Sequence, residues 1–511
     1  MTLAYKKNKN VTLFQQMGNV LQLQELQNYT PIYQRFFTLN GTNWNHVNLA
    51  SEWRLETLTD ESTANVVGET VKEADVFFKM CPLLDPARYL MGEYKDYDYA
   101  LPTLEKAPVP KMGDVNNSAY VDGFFYFLSD RLKHRHDFVH GLAFYGNYLG
   151  IKNDFEYNMD VDMAMCSGNA FFQENVGKLF EINHEIPTMP KLALGEDVAL
   201  EVDEVEGEGA ATSSDAALED VTKDLKLDGE LKLKGHSICS SKSSNSDDEA
   251  PENDDEEGEE DSFEDYPEVF ATIKKFPVQV VAMERCAETL DNLLGTCPAE
   301  EMESALMQVV MMLLVYQKVY RFTHNDLHTN NIMYVHTDVP YLYYIHDNTA
   351  YKVPTFGRIF KLIDFGRSVY SFQGERFVSD SFGAEGDAEG QYNLAPYLNP
   401  DKPPLDVNFS FDLCRLACSM LDTLPSTTEF DNLNKLVEDW CSDDKGRNVL
   451  FKKNGDERYP DFKLYKMIAR TVHRHTPEEQ LKRRIFNKYI VKKKTTKDKK
   501  VCNVDDMPVL A

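Results

Sequence analysis

Residues 322 to 331 read FTHNDLHTNN. The stretch follows an apolar run, ALMQVVMMLLVY at 305 to 316, and leads into NIMYV at 331 to 335. The spacing predicts a buried helix over 299 to 322 and a strand after the motif. A polar turn of His, Asp and Asn at such a junction is either a catalytic loop or a surface turn, and its neighbours decide which. Downstream, KLIDFGRS at 361 to 368 ends a second predicted strand on Asp364, followed by Phe365 and Gly366.

Transfer of a terminal phosphoryl group needs a metal to neutralise phosphate oxygens, a cation for the other phosphates and a carboxylate to receive the hydroxyl proton. Asp326 is the candidate base. Asn331, five residues on, offers a side-chain oxygen to a metal, and Asp364 places a carboxylate at a flexible turn. Either motif alone is weak, but both in this order, each beside a strand, make coincidence a poor explanation. On these motifs the chain resembles the eukaryotic protein-kinase-like superfamily: FTHNDLHTNN matches its catalytic loop and DFG its metal-binding triad. SFDLCRLACSM at 410 to 420 resembles the helix after the activation segment, whose Asp412 would brace the catalytic loop. VVAMERCAETLDNLL at 280 to 294 resembles the last N-lobe strand, the hinge and the first C-lobe helix. More narrowly, VFFKMCPLLDPARYLMGEY, VPTFGRIFKLIDFGR and NLAPYLNPDKPPLDVNFSFDLCR are similar to predicted Ser/Thr protein kinases of large nucleocytoplasmic DNA viruses. The resemblance covers most of residues 10 to 490, apart from an acidic insertion.

The resemblance implies an α+β, bilobal protein-kinase-like fold, with a strand-rich N-lobe and a helical C-lobe, and ATP and Mg²⁺ as cofactors. It implies that Lys79, in the apolar strand Val76 to Met80, contacts the α- and β-phosphates. A cation between bulky apolar neighbours needs an anionic partner in any case. Asp122, on a helix predicted over 116 to 132, is the candidate partner, though an acidic residue in a first helical turn also compensates the helix dipole. Met283 would line the back of an adenine pocket, with Glu284 and Cys286 offering backbone groups to the base. His328 stands where Ser/Thr protein kinases carry lysine, and would donate to the transferring phosphate with a pH-dependent charge. Asn325 replaces the arginine that reads activation-segment phosphate, so activation by that route is not expected. No Gly-rich loop precedes Lys79, since Gly68 stands alone, and the nearest match to the usual Ala-Pro-Glu is APY at 395 to 397. His324 is expected as a structural histidine that hydrogen-bonds the loop and the Phe365 region.

Bulk properties agree with a folded protein of 511 residues, 42% of them hydrophobic. Residues 195 to 265 carry 26 Asp or Glu against 5 Lys, so 21 of the 30 net negative charges lie there. That segment is expected as a disordered insertion, with LKLDGELKL at 225 to 233 as a short hairpin signal inside it. The remainder divides into an N-terminal extension at 1 to 60 packed on the N-lobe, an N-lobe at 61 to 194, a last strand and hinge at 266 to 285, a C-lobe at 286 to 490, mostly helical, and a basic tail at 491 to 511. The Tyr-rich YLYYIHDNTAYKV reads as a hairpin inserted between the two catalytic motifs. The nine cysteines include no Cys-x-x-Cys pair, and Cys414 and Cys418, four apart on a helix, read as core residues rather than ligands. His473 and His475, two apart, share no helix face, so no metal is assigned to them.

No signal peptide or membrane-spanning stretch is read, so the expectation is a soluble intracellular protein, in host cytoplasm or nucleus, or in the virion, if viral. The insertion would suit acid-directed phosphorylation or a basic partner. The stretch 482 to 500, with ten Lys or Arg and one Asp, would suit an anionic partner, nuclear import, or the insertion itself. The leading function is a serine/threonine-protein kinase. The alternatives are a small-molecule phosphotransferase, suggested by His328, and a pseudokinase-type binding scaffold, suggested by the missing glycine loop.

Overall fold

The strand that carries Lys79 is longer than its apolar centre, running Val71–Pro82. In the computed structural model, which describes residues 3–183 and 268–511, it pairs antiparallel with Thr63–Val67 on one side and Phe270–Glu284 on the other. The sheet has the order Leu23–Gln27, Phe144–Asn158, Phe270–Glu284, Val71–Pro82, Thr63–Val67, Arg54–Leu58, with Phe180–Ile182 added against Phe270–Glu284. Register sets Lys79 opposite Val281 and Phe77 opposite Met283. The acidic insertion, with its hairpin signal and Cys239, lies outside the described residues.

Both edges of this sheet come from residues before 60. The N-terminal extension is therefore part of the sheet, and the boundary expected at 60 falls inside the hairpin of Arg54–Leu58 and Thr63–Val67. Leu13, Met17, Ile32 and Tyr33 are buried against it. The hairpin's turn is Thr59-Asp60-Glu61-Ser62, and Gly68 sits in the following connection.

Helix Ser118–Arg135 crosses the sheet. The Asn117 side chain accepts the Ala119 N–H at 3.0 Å as its cap, and Lys133, His134 and Arg135 oppose the negative end of its dipole. Gly123 lets it lie close: a Cβ there would collide with Gln279 and Val281 of the sheet. That approach brings Asp122, one residue earlier, to the floor of the sheet with 1% of its surface exposed.

Helix Ala299–Tyr320 is buried nearly all round, which explains why it is apolar on every face. No helix among the described residues is long and apolar enough to cross a membrane. After it, Ile332–His336 pairs with Arg358–Leu362, Ile332 facing Leu362. The Tyr-rich insertion forms the hairpin of Tyr341–His346 and Thr349–Pro354, turning at Asp347 and Asn348, both with positive φ. The chain from 411 on is less helical than expected. Phe411–Met420, Asp431–Trp440 and Lys463–Thr471 are short, and irregular segments join them. Residues 491 to 511 are not a free tail. Cys502–Asn503 adds a parallel strand to Tyr341–His346, Ile490–Val491 pairs with Thr349–Pro354, and Val504 and Met507 are buried. The chain is thus a mixed α and β protein whose large antiparallel sheet precedes its longest helix.

Candidate functional site

Three distant segments meet at Lys79. Its Nζ lies 2.9 Å from Asp122 Oδ2 and 2.9 Å from Asp364 Oδ1. Burial opposes the ammonium charge, but the two carboxylates outweigh it and hold the Lys79 pKa well above the usual lysine value. Asp122 Oδ1 also accepts the Phe365 N–H at 2.6 Å, and Tyr126 Oη accepts the Asp364 N–H at 2.9 Å. Asp364 itself has φ +62°, a left-handed backbone that aims its carboxylate back at the sheet.

The loop 322 to 331 is fixed from beneath. Asp412, fully buried at the start of helix Phe411–Met420, accepts the N–H groups of His324 and Asn325 at 2.9 Å each. The His324 ring bonds the Ile363 carbonyl at 2.9 Å and packs against Phe365, so the two motifs share one histidine. Asn325, at φ +65°, is a bracing group: its amide nitrogen donates to Thr323 and to the Arg367 carbonyl, and its oxygen accepts from Tyr392. No cation stands at that position.

Asp326 is 6% exposed. Tyr465 donates to its Oδ1 at 2.7 Å and Arg367 Nη1 lies 3.3 Å from its Oδ2. Burial works to raise its pKa, but Arg367, His328 and Arg415 outweigh that and hold it below the usual carboxylate range. Asn331 donates to the Asp326 carbonyl at 2.9 Å, and its own carbonyl accepts the Ile363 N–H at 3.1 Å, which ties it to the residue before Asp364. His328 is turned toward Asn331, with 3.1 Å between Nε2 and Asn331 Nδ2, and burial pushes its pKa down to about 4. It is uncharged at neutral pH, with Nε2 placed to accept from the Asn331 amide.

A cleft of about 480 Å³ opens above these groups. Lys79, Asp122, Asp326, Asp364 and Arg367 line it, and its outer wall is formed by residues 380 to 387. Met283, Glu284 and Cys286 do not line it. Met283 is 2% exposed, and burial pushes the Cys286 thiol up to about 12. Glu284 is engaged elsewhere: its carboxylate accepts from Lys133 at 2.8 Å and from the Ala143 N–H at 3.0 Å, and its own N–H donates to the Ala143 carbonyl. Burial opposes its charge, but Lys361 and Lys133 draw its pKa down to about 2.

Lys361 gives a testable consequence. Its buried ammonium donates to the carbonyls of Val139 (2.6 Å) and Gly141 (2.9 Å), and burial, with Lys133 nearby, pushes its pKa down to about 8 from 10.5. The unfolded chain therefore holds this proton to higher pH than the folded one. Stability should rise between pH 8 and 10.5 by up to about 3 kcal/mol from this group. Urea titrations across that range should show the rise, and Lys361→Met should flatten it; an unchanged slope in the variant would refute the assignment.

Among the described residues no cluster of three or more His, Cys, Asp or Glu could hold a metal ion. Asp364 and Asn331 offer a carboxylate and an amide oxygen, which suit Mg²⁺, a hard ion that takes one or two carboxylates and fills its remaining positions from phosphate and water. Arg367 and Tyr465 complete the surroundings of Asp326. Arg367 directly follows the DFG triplet, a local signal that was available; Tyr465 lies 139 residues from Asp326 and leaves no local signal. No protein-family model and no curated protein matches this chain.

Proposed function

We propose that the chain is a phosphotransferase of the protein-kinase-like class, and within it an ATP- and Mg²⁺-dependent kinase acting on Ser or Thr hydroxyls of proteins. The observation that carries this is the convergence of Lys79, Asp122 and Asp364 in the cleft that also holds Asp326. A buried lysine shared by two carboxylates is costly to assemble for stability alone. It suits a site whose carboxylate takes a metal while the lysine turns to phosphate oxygens. The sheet order, with the lysine strand between the Thr63–Val67 strand and the Phe270–Glu284 strand, and the helix carrying Asp122 across it, supports the same class.

In this reading Asp364 and Asn331 would hold Mg²⁺, which supplies charge neutralisation at the phosphates. Lys79 orients the phosphates. Asp326, ionised at neutral pH, accepts the proton of the attacking hydroxyl, and Asp412 keeps its loop in place. The long wall at 380 to 387 beside the cleft favours a polypeptide acceptor over a small molecule.

Full-length protein incubated with γ-labelled ATP, Mg²⁺ and a panel of basic and acidic proteins should transfer label to Ser or Thr, and Asp364→Asn should not. Transfer that survives this substitution, or label confined to a small-molecule acceptor, would sink the reading. Nucleotide binding without transfer would favour a binding scaffold.

A further inference from the structure

Phosphoryl transfer next to Asp326 leaves a charge problem that Lys79 does not solve. Charge spreads over the oxygens of the transferring group, and a cation aimed at those oxygens beside Asp326 would stabilise it. Lys79 is held between Asp122 and Asp364. His328, at the motif position nearest Asp326, directs Nε2 to Asn331 and does not line the cleft. The remaining cleft cations are Arg88, Lys111 and Arg367. Arg88 is bound to Glu385 at the rim, and Lys111 to Asp380.

Arg367 is different. Its Nη1 stands 3.3 Å from Asp326 Oδ2, while Nε and Nη2 donate to Asp387 Oδ2 at 3.0 and 2.6 Å. The ring of Tyr465, which itself bonds Asp326, lies under the guanidinium at 5.8 Å. One end of the guanidinium is thus anchored to the outer wall and the other is presented beside the candidate base. Resting on the phosphotransferase reading above, we propose that Arg367 is a catalytic residue that contacts the transferring phosphoryl group, and that Asp387 is a positioning residue that holds the guanidinium for that contact. The hydroxyl proton goes to Asp326, the oxygen–phosphorus bond forms, and the bond to the β-phosphate oxygen breaks with its electrons leaving on ADP. Arg367 stays protonated throughout.

The test is steady-state kinetics of the full chain with Mg·ATP and the best protein acceptor, beside equilibrium binding of Mg·ADP with and without aluminium fluoride. Arg367→Ala should lower kcat by about 10²- to 10³-fold, with KM for ATP changed by less than about threefold. It should lose the extra affinity that aluminium fluoride gives to ADP while keeping that for ADP alone. Arg367→Lys should recover part of kcat, and Asp387→Asn should lower kcat by a smaller factor, with ATP affinity retained. A merely structural role would lower ADP affinity and melting temperature together and would overturn the proposal. So would a rise in kcat for Arg367→Ala, which would mean that the arginine restrains Asp326. A wild-type chain that binds Mg·ADP and transfers phosphate, yet is indifferent to Arg367→Ala, overturns this proposal alone; a wild-type chain that does neither overturns both readings.

Discussion

Asp326→Asn should lower the rate of phosphoryl transfer by about 10²- to 10⁴-fold, the range of a positioned general base, and leave the melting temperature nearly unchanged. Asparagine has the same shape, so Tyr465 keeps an acceptor where it now meets Oδ1. Arg367 loses one carboxylate but retains Asp387. The backbone carbonyl of residue 326 continues to receive Asn331, so that side chain is not displaced. What is lost is the carboxylate proposed above as the proton acceptor. Initial rates with labelled ATP beside a thermal melt measure both quantities, and a variant that keeps its rate while folded would remove Asp326 from the chemistry. A variant that loses rate and melting temperature together would instead show that the carboxylate holds the loop.

The part of the site legible in the sequence is the part set by local backbone. Asp326, Asn331 and Asp364 lie in two short motifs whose turns need particular residues: Asn325 and Asp364 take positive φ, a conformation that asparagine and aspartate tolerate. Asp122 was legible only as one of two readings, because the pattern of its helix does not say which residue Gly123 will bring against the sheet. The side-chain partners of Glu284 were not legible, for a tertiary reason. Lys133 and Lys361 come from a helix and a strand far apart in sequence, and together they take its carboxylate away from any ligand. The lysines of the terminal segment read as a tail. Those side chains are exposed in a folded strand-and-turn segment as they would be in a coil, and the residues that pin it, Val504 and Met507, are too few to make a pattern. Composition reports the solvated face of such a segment and is silent on the other.

Lys79→Met should have the largest effect on stability, and its pH dependence separates electrostatics from packing. Removing the ammonium leaves Asp122 and Asp364 facing each other, with side chains 1% and 11% exposed. Breaking a buried pair in this way costs about 3–5 kcal/mol. Two carboxylates that close cannot both stay ionised, so one takes up a proton and its folded pKa rises above the unfolded value. The folded state then binds more protons than the unfolded state, and the variant should lose stability as pH rises from about 4 toward 7, the carboxylate range. In the wild type burial already raises the Asp122 pKa, but Lys79 opposes the rise, so the same trend should be weaker there. The double variant Lys79→Met, Asp122→Leu removes one of the two charges and should regain much of the lost stability at pH 7, because a neutral apolar pair replaces an orphaned carboxylate. The Phe365 N–H that Asp122 now accepts is left unpaired, so the recovery should fall short by about 1–3 kcal/mol. Nucleotide affinity should not recover with stability, since the cation held between the two carboxylates is still missing. Urea titrations at pH 5 and 7 with Mg·ADP binding on the same samples decide this: equal destabilisation at both pH values, or ADP binding restored in the double variant, would show that Lys79 serves packing and not phosphate.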